Sequence, residues 1–123
     1  ASDILVKIHS KSTKVKYLNI LNFVYLYFQL PGDEDSSPTC RTYVFQNESH
    51  TLGNALKCII NKYPDVEFCG YTVPHPAESK MHFRIQSRDT SALEILKRAL
   101  GDLEKVCDHT MDLFEKEVQD FGK

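Results

Sequence analysis

The feature that most constrains the fold is the segment 91–121, in which apolar residues recur at steps of three and four. The stripe consists of Leu93, Leu96, Leu100, Leu103, Cys107, Phe114 and Phe121, and it is widened by Ile95, Ala99, Val106, Met111, Leu113 and Val118. A helix of roughly 30 residues is about 45 Å long at 1.5 Å per residue, which is longer than a small sheet of short strands can cover. A large apolar patch left in water marks an interface or an aggregation liability. We therefore expect part of this helix to contact another protein.

A second, shorter helix is predicted between residues 49 and 63. Ser49 or Thr51 offers a side-chain oxygen that can cap the first turn, and Pro64 disfavours helical geometry in Tyr63. Its apolar face consists of Leu52, Ala55, Leu56, Ile59 and Ile60.

Each predicted helix contains a glycine, which costs a helix about 1 kcal/mol relative to alanine. Gly53 falls in the first turn of the shorter helix, where its missing Cβ lets another backbone come close. We expect this close contact to be with a partner, so that Gly53→Leu would disrupt pairing more than folding. We expect a neighbouring element to pack closely at Gly101 in the longer helix.

Strands are predicted at about 23–30, 41–47, 66–73 and 80–86, and residues that alternate along the chain support the first and the fourth. In the fourth strand Met81, Phe83 and Ile85 alternate with polar residues, which predicts one buried face and one wet face. The rigid Pro74-His75-Pro76 segment is predicted to turn the chain between the third and fourth strands, with a ligand or proton-transfer role for His75 as the alternative. The element order predicts an α+β fold, an antiparallel sheet of about four strands with two helices packed on one face.

The length of 123 residues predicts one domain, which we place at 23–123 after a basic tail at 1–22. The net charge of −2 gives no overall attraction to nucleic acid. No signal peptide is recognised, and the longest apolar run, 20–28, is shorter than the roughly 20 residues that span a bilayer. We expect a soluble protein with no membrane contact.

The residue types that carry chemistry are scattered. Cys40, Cys58, Cys69 and Cys107 form no Cys-x-x-Cys pair, so we expect reduced thiols, with Cys58 and Cys107 packing as small hydrophobes. The spacing of the histidines pairs none of them with a nucleophile, and neither a metal-binding motif nor a phosphate loop is found. We predict no catalytic residue, no metal and no cofactor.

A single-stranded nucleic-acid binding module is the alternative hypothesis, and it depends on the amino-terminal segment. Basic residues that could attract a phosphate backbone precede aromatic residues that could stack on bases. These residues are Lys7, Lys11, Lys14 and Lys16, followed by Tyr17, Phe23, Tyr25, Tyr27 and Phe28. A basic tail that leads into an ordinary strand explains the same residues.

The segment from His50 to Lys57, HTLGNALK, resembles the signature with which the alpha-like subunits of cellular RNA polymerases begin their first helix. Gly70-Tyr71 and Pro74-His75-Pro76 match the small eukaryotic branch of that family. The segment 64–69, PDVEFC, is more similar to the version shared by RNA polymerases I and III than to that of RNA polymerase II. The resemblance covers about 41–121. Lys57 stands where the family usually has arginine, so positive charge is kept but the bidentate fork is lost.

The resemblance implies an alpha-subunit dimerisation-type fold and a non-catalytic architectural subunit of DNA-dependent RNA polymerases I and III. Such subunits pair through their Thr-Leu-Gly-Asn helices and long C-terminal helices, and the pair forms a platform for the two large catalytic subunits. The implied partner is the larger alpha-like subunit common to the two polymerases, the implied location is the nucleus (nucleolus and nucleoplasm), and the implied role is in rRNA and small-RNA transcription. No sequence-specific nucleic-acid contact is expected. The implied dimer interface consists of Thr51, Leu52, Gly53, Asn54, Leu56, Ile59, Ile60, Leu100, Leu103, Cys107 and Phe114.

Overall fold

The computed structural model describes residues 28–29 and 37–123. Its elements are strand β1 (Phe28–Gln29), strand β2 (Cys40–Gln46), helix α1 (His50–Ile60), strand β3 (Val66–Thr72), strand β4 (Lys80–Ser87) and helix α2 (Ala92–Phe121). The predicted α+β fold and element order are confirmed. The proposed tail at 1–22, most of the predicted first strand and the basic and aromatic residues of the nucleic-acid hypothesis lie outside the described residues.

The sheet has the strand order β1-β2-β4-β3, and every neighbouring pair is antiparallel. The predicted alternation in β4 is confirmed, because Met81, Phe83 and Ile85 are buried while the residues between them are half-buried. Tyr43 and Phe45 of β2 lie opposite Phe83 and Met81, so they project from the same face of the sheet. The Phe45 and Phe83 rings pack edge to face, with centroids 6.1 Å apart.

Both helices cover this apolar face. Helix α1 buries Leu52, Leu56 and Ile60, and the predicted spacing of three and four brings them to one side. The residues that α2 buries are Ala92, Ile95, Leu96, Ala99, Leu100 and Leu103. The buried stripe of α2 ends at Leu103, although the helix continues to Phe121.

Three predictions about the ends and exposed side of α1 are wrong. Ser49 occupies the N-cap position, but neither Ser49 nor Thr51 caps the turn, because the Ser49 side chain makes no capping hydrogen bond and Thr51 lies inside the helix. The helix also ends at Ile60, before the residue that Pro64 restricts. Cys58 is exposed, so it does not pack as a small hydrophobe, whereas Cys107 is partly buried against the core.

The close neighbour expected at Gly101 is not found among residues 28–29 and 37–123. Within this part of the chain, a Cβ built at Gly101 meets no heavy atom within 4 Å other than the backbone of its own helix and its chain neighbours. The prediction that His75 lies in a turn between β3 and β4 is confirmed. The amide N–H of Ala77 donates to His75 Nδ1 (3.2 Å), and that of Glu78 donates to the His75 carbonyl oxygen (3.2 Å).

Candidate protein interface

The second half of α2 carries apolar side chains that the other described residues do not cover. The exposed large apolar residues there are Val106, Met111, Leu113, Phe114, Val118 and Phe121. Phe114 is 65% exposed and Phe121 is 95% exposed, values that are unusual for aromatic side chains in a folded protein. From Leu103 to Phe121 the helix extends about 27 Å at 1.5 Å per residue. We call this surface the distal stripe.

The distal stripe continues the core-facing stripe of the same helix. At 3.6 residues per turn, two residues 18 positions apart are separated by about five full turns and point in the same direction. This spacing relates Leu113, Phe114, Val118 and Phe121 to the buried Ile95, Leu96, Leu100 and Leu103. One side of a single helix is therefore covered by the sheet and α1 along its first half and left uncovered along its second half.

The predicted interface residues of α1 divide into two groups. Thr51 and Asn54 are exposed, and Ile59 is half-buried, so these three side chains have surface available to a partner. Leu52, Leu56 and Ile60 are buried in the chain's own core. Burial inside the chain leaves these three leucine and isoleucine side chains little or no surface for direct contact.

Gly53 serves the chain's own packing, contrary to our expectation. A Cβ at this position would lie 2.5 Å from Met81 Sδ and 2.7 Å from Tyr71 Cδ2, far inside van der Waals contact. The Tyr71 ring stacks on Phe83, with centroids 6.4 Å apart, and its hydroxyl lies 3.0 Å from His50 Nδ1. The missing Cβ therefore lets the first turn of α1 approach β3 and β4 of the same chain.

The predicted interface residues of α2 also differ in exposure. Leu100 and Leu103 are buried in the core, and Cys107 is partly buried against it. Phe114 alone among the predicted α2 residues lies fully within the distal stripe. Most of the exposed area comes from Phe121 of the predicted stripe and from the residues that were recognised only as widening it.

A polar cluster, formed by Tyr63, Asp65, Arg98 and Asp102, ties α2 to the loop after α1. Arg98 Nη2 donates to both carboxylate oxygens of Asp65 at 2.8 Å, and its guanidinium lies over the Tyr63 ring, 4.1 Å from the centroid. The Tyr63 hydroxyl donates to Asp102 Oδ2 (2.6 Å). Hydrogen-bonded arginine–carboxylate pairs and cation–π contacts both depend on orientation, so this polar cluster holds α2 in one direction.

Hydrogen bonds and burial shift the pKa values of the ionisable side chains in the polar cluster. The Arg98 guanidinium, through hydrogen bonding, holds the pKa of Asp65 below its usual range, and the hydrogen bond from Tyr63 does the same for Asp102. Burial, followed by the bond to Asp102, raises the pKa of Tyr63. The sequence analysis missed the polar cluster, because each of these hydrogen bonds joins residues more than 30 positions apart and no local pattern relates them.

The described residues bring together no recognisable catalytic group. Burial raises the pKa of the Cys69 thiol to about 12, which disfavours the nucleophilic thiolate. Within residues 37–123 and 28–29, no group of three or more histidine, cysteine or acidic side chains is arranged to hold a metal ion. Neither described helix combines the length and the apolar character that a membrane span requires.

A family model matches residues 40–113 of this chain, and its description is "RNA polymerase Rpb3/Rpb11 dimerisation domain". The chain belongs to this dimerisation-domain family. The match covers β2, α1, β3, β4 and the first two thirds of α2, and it ends just before Phe114.

Similar proteins agree with this assignment. The chain is 62% identical over 94 residues to the DNA-directed RNA polymerases I and III subunit RPAC2 of Drosophila melanogaster, covering 76% of this chain and 90% of that protein. It is 49% identical over 83 residues to RPAC2 of Danio rerio, covering 67% and 74%.

A solved structure shares the fold. The crystal structure of DNA-directed RNA polymerase subunit L from Thermoplasma acidophilum superposes with a TM-score of 0.64 at 21% identity, covering 78% of this chain and 91% of that chain.

Proposed function

We propose that this chain is a non-catalytic architectural subunit of DNA-dependent RNA polymerases I and III. In this role it pairs with the larger alpha-like subunit, and the pair forms a platform on which the large catalytic subunits assemble. It works in the nucleus, in the nucleolus for rRNA synthesis and in the nucleoplasm for small-RNA synthesis.

The observation that carries the proposal is the distal stripe. The part of α2 that extends past the core exposes two phenylalanines, a leucine, a methionine and two valines. Burying a side chain of this kind contributes about 1.5–3 kcal/mol, so a protein that covers the stripe gains substantial binding free energy. The family's description as a dimerisation domain and the names of the relatives support an alpha-like polymerase subunit as the partner.

Thr51, Asn54 and Ile59 extend the proposed interface onto α1, because they keep surface available. The buried members of the predicted set act indirectly, by fixing the position of α1 on the sheet. The proposed dimer interface therefore consists of the distal stripe together with these three residues.

Co-expression with the larger alpha-like subunit of the same organism tests the proposal. We expect a one-to-one complex in size-exclusion chromatography with light scattering. The double variant Phe114→Ser/Val118→Ser should weaken that complex at least tenfold while leaving the isolated chain folded, because both side chains are already exposed.

The double variant Asp112→Asn/Lys116→Gln is a matched control. Both residues are exposed on the side of α2 that faces away from the distal stripe, and we expect wild-type binding. A wild-type chain that stays monomeric in the presence of the larger subunit would rule the proposal out.

A further inference from the structure

We propose that carboxylates along the borders of the distal stripe select a partner helix bordered by lysine or arginine, and that they oppose pairing between two copies of this chain. This inference rests on the proposed function, because it concerns the partner of the same surface. It commits to a basic-bordered helix as the occupant rather than a second copy.

Acidic side chains lie on both borders of the distal stripe. Glu115 follows Met111 by four residues and precedes Val118 by three, so it borders that side of the stripe. Asp120 lies on the opposite border, whereas Glu117 follows the buried Ala99 by 18 residues and therefore lies within the stripe. These two carboxylates line a shallow surface depression whose other walls are Phe114, Val118 and Phe121. A partner side chain that fills the depression therefore meets apolar carbon and carboxylate together.

The lysines of the same half-helix lie elsewhere on its circumference. Lys116 comes about three turns after Lys105 and about two turns before Lys123, so the three point in one direction. Lys116 is two positions from Phe114, which places it on the far side of the helix. Lys105 pairs with Asp102 (2.9 Å) and Lys123 with Asp120 (3.4 Å). Glu115 and Glu117 consequently contribute most of the net negative charge at the stripe.

Border charges of one sign discriminate between partners. When two helices pack along apolar stripes, residues at the stripe borders face each other, and their charges determine partner choice. Two copies of this helix would place carboxylates opposite carboxylates, whereas a basic-bordered helix would place opposite charges together. The family match ends at residue 113, so these border residues lie beyond the matched domain.

Self-association of the isolated full chain gives the first test. We expect the variant Glu115→Gln/Glu117→Gln/Asp120→Asn to dimerise about tenfold more tightly than the wild type at roughly 50 mM salt in sedimentation equilibrium. Wild-type self-association should strengthen when salt is raised to about 500 mM, because screening weakens repulsion, and the variant should respond little. A variant that associates no more tightly than the wild type would overturn the inference.

Binding to the larger alpha-like subunit gives the second test. At low salt the neutralised variant should bind about three- to tenfold more weakly than the wild type, and its affinity should lose most of its salt dependence. Asp112→Asn removes one carboxylate from the far side of the helix, so it controls for the loss of negative charge away from the distal stripe.

The outcomes separate this inference from the proposed function. If the wild type binds the larger subunit and the neutralised variant binds equally well with the same salt dependence, the selectivity inference fails alone. If the wild type does not bind that subunit, the proposed function fails, and the self-association test still decides whether border charge opposes pairing.

Discussion

At the scale of single residues, the two helical glycines occupy opposite environments. Gly53 lies against Tyr71 and Met81, and a side chain there overlaps both. Gly101 lies in a 30-residue helix with open space where its side chain would be. The cost of glycine in a helix is the same at both positions, so the surroundings alone determine the effect of substitution.

Alanine substitution at the two glycines should therefore change stability in opposite directions. Gly53→Ala overlaps buried side chains, and we expect it to lower the free energy of unfolding by about 1–2 kcal/mol after the gain in helix propensity is included. Gly101→Ala should raise it by up to about 1 kcal/mol. Urea unfolding followed by circular dichroism measures both, and an equal effect of the two changes would contradict the packing at Gly53.

The polar cluster predicts a specific loss of stability in acid. Because Arg98 lowers the pKa of folded Asp65, the pair contributes stability that is present above the unfolded carboxyl pKa of about 4 and is lost as pH falls through the folded value. Thermal unfolding should show Tm falling as pH drops below about 4. Asp65→Asn should make that decline shallower.

In this pH experiment, Arg98→Lys should behave as an intermediate between the wild type and Asp65→Asn. Lysine keeps the positive charge but loses the planar guanidinium that hydrogen-bonds Asp65 and stacks on Tyr63. Its Tm should lie below that of the wild type at neutral pH, and its acid dependence should lie between those of the wild type and Asp65→Asn. An acid profile unchanged in Asp65→Asn would show that other carboxyls govern the decline.

At the scale of the elements, α2 is one helix in two environments. Its first half packs against the sheet, α1 and the polar cluster. Along the distal stripe, the described residues leave its second half exposed. Most helical stability in proteins comes from packing of the apolar face rather than from propensity. The two halves should therefore differ in their resistance to local opening.

Hydrogen exchange of the isolated chain should reveal this difference. Amides from Ile95 to Leu103 should exchange near the rate of global unfolding, while those from Met111 to Phe121 should exchange much faster. Binding of the larger alpha-like subunit should slow exchange in the second group far more than in the first. Uniform protection along the whole of α2 in the free chain would contradict this division.

At the scale of the whole molecule, the protein combines a buried hydrophobic core with a solvent-exposed apolar surface, the distal stripe. A ligand that binds only the folded state stabilises it in proportion to the logarithm of its concentration. With the larger subunit at about 100 times its dissociation constant, the free energy of unfolding should rise by about 2.7 kcal/mol.

Thermal unfolding of a titration series measures this coupling. Tm should increase steadily with the concentration of the larger subunit, and Phe114→Ser/Val118→Ser should remove most of the increase. A Tm that is independent of the partner concentration would indicate that the distal stripe is not where the partner binds.

The fold was largely predictable because its signals are local. Periodicity of two identified the alternating faces of β4, and periodicity of three and four identified the apolar faces of α1 and α2. The length of the periodic segment at 91–121 also predicted that part of α2 extends past the core. These features depend on neighbours within a few positions along the chain, so the sequence alone contains them.

Only the tertiary structure decided which of the predicted interface residues lie in the core and which are exposed. The same apolar stripe serves the core up to Leu103 and is exposed beyond it, and the boundary depends on where the sheet and α1 end. The space available at Gly53 depends on Tyr71 and Met81, and the hydrogen bonding of Arg98 depends on Asp65. These residues are too far apart along the chain for a local sequence pattern to relate them. Periodicity determines which side of a helix is apolar, whereas the packed neighbours determine whether that side is core or interface.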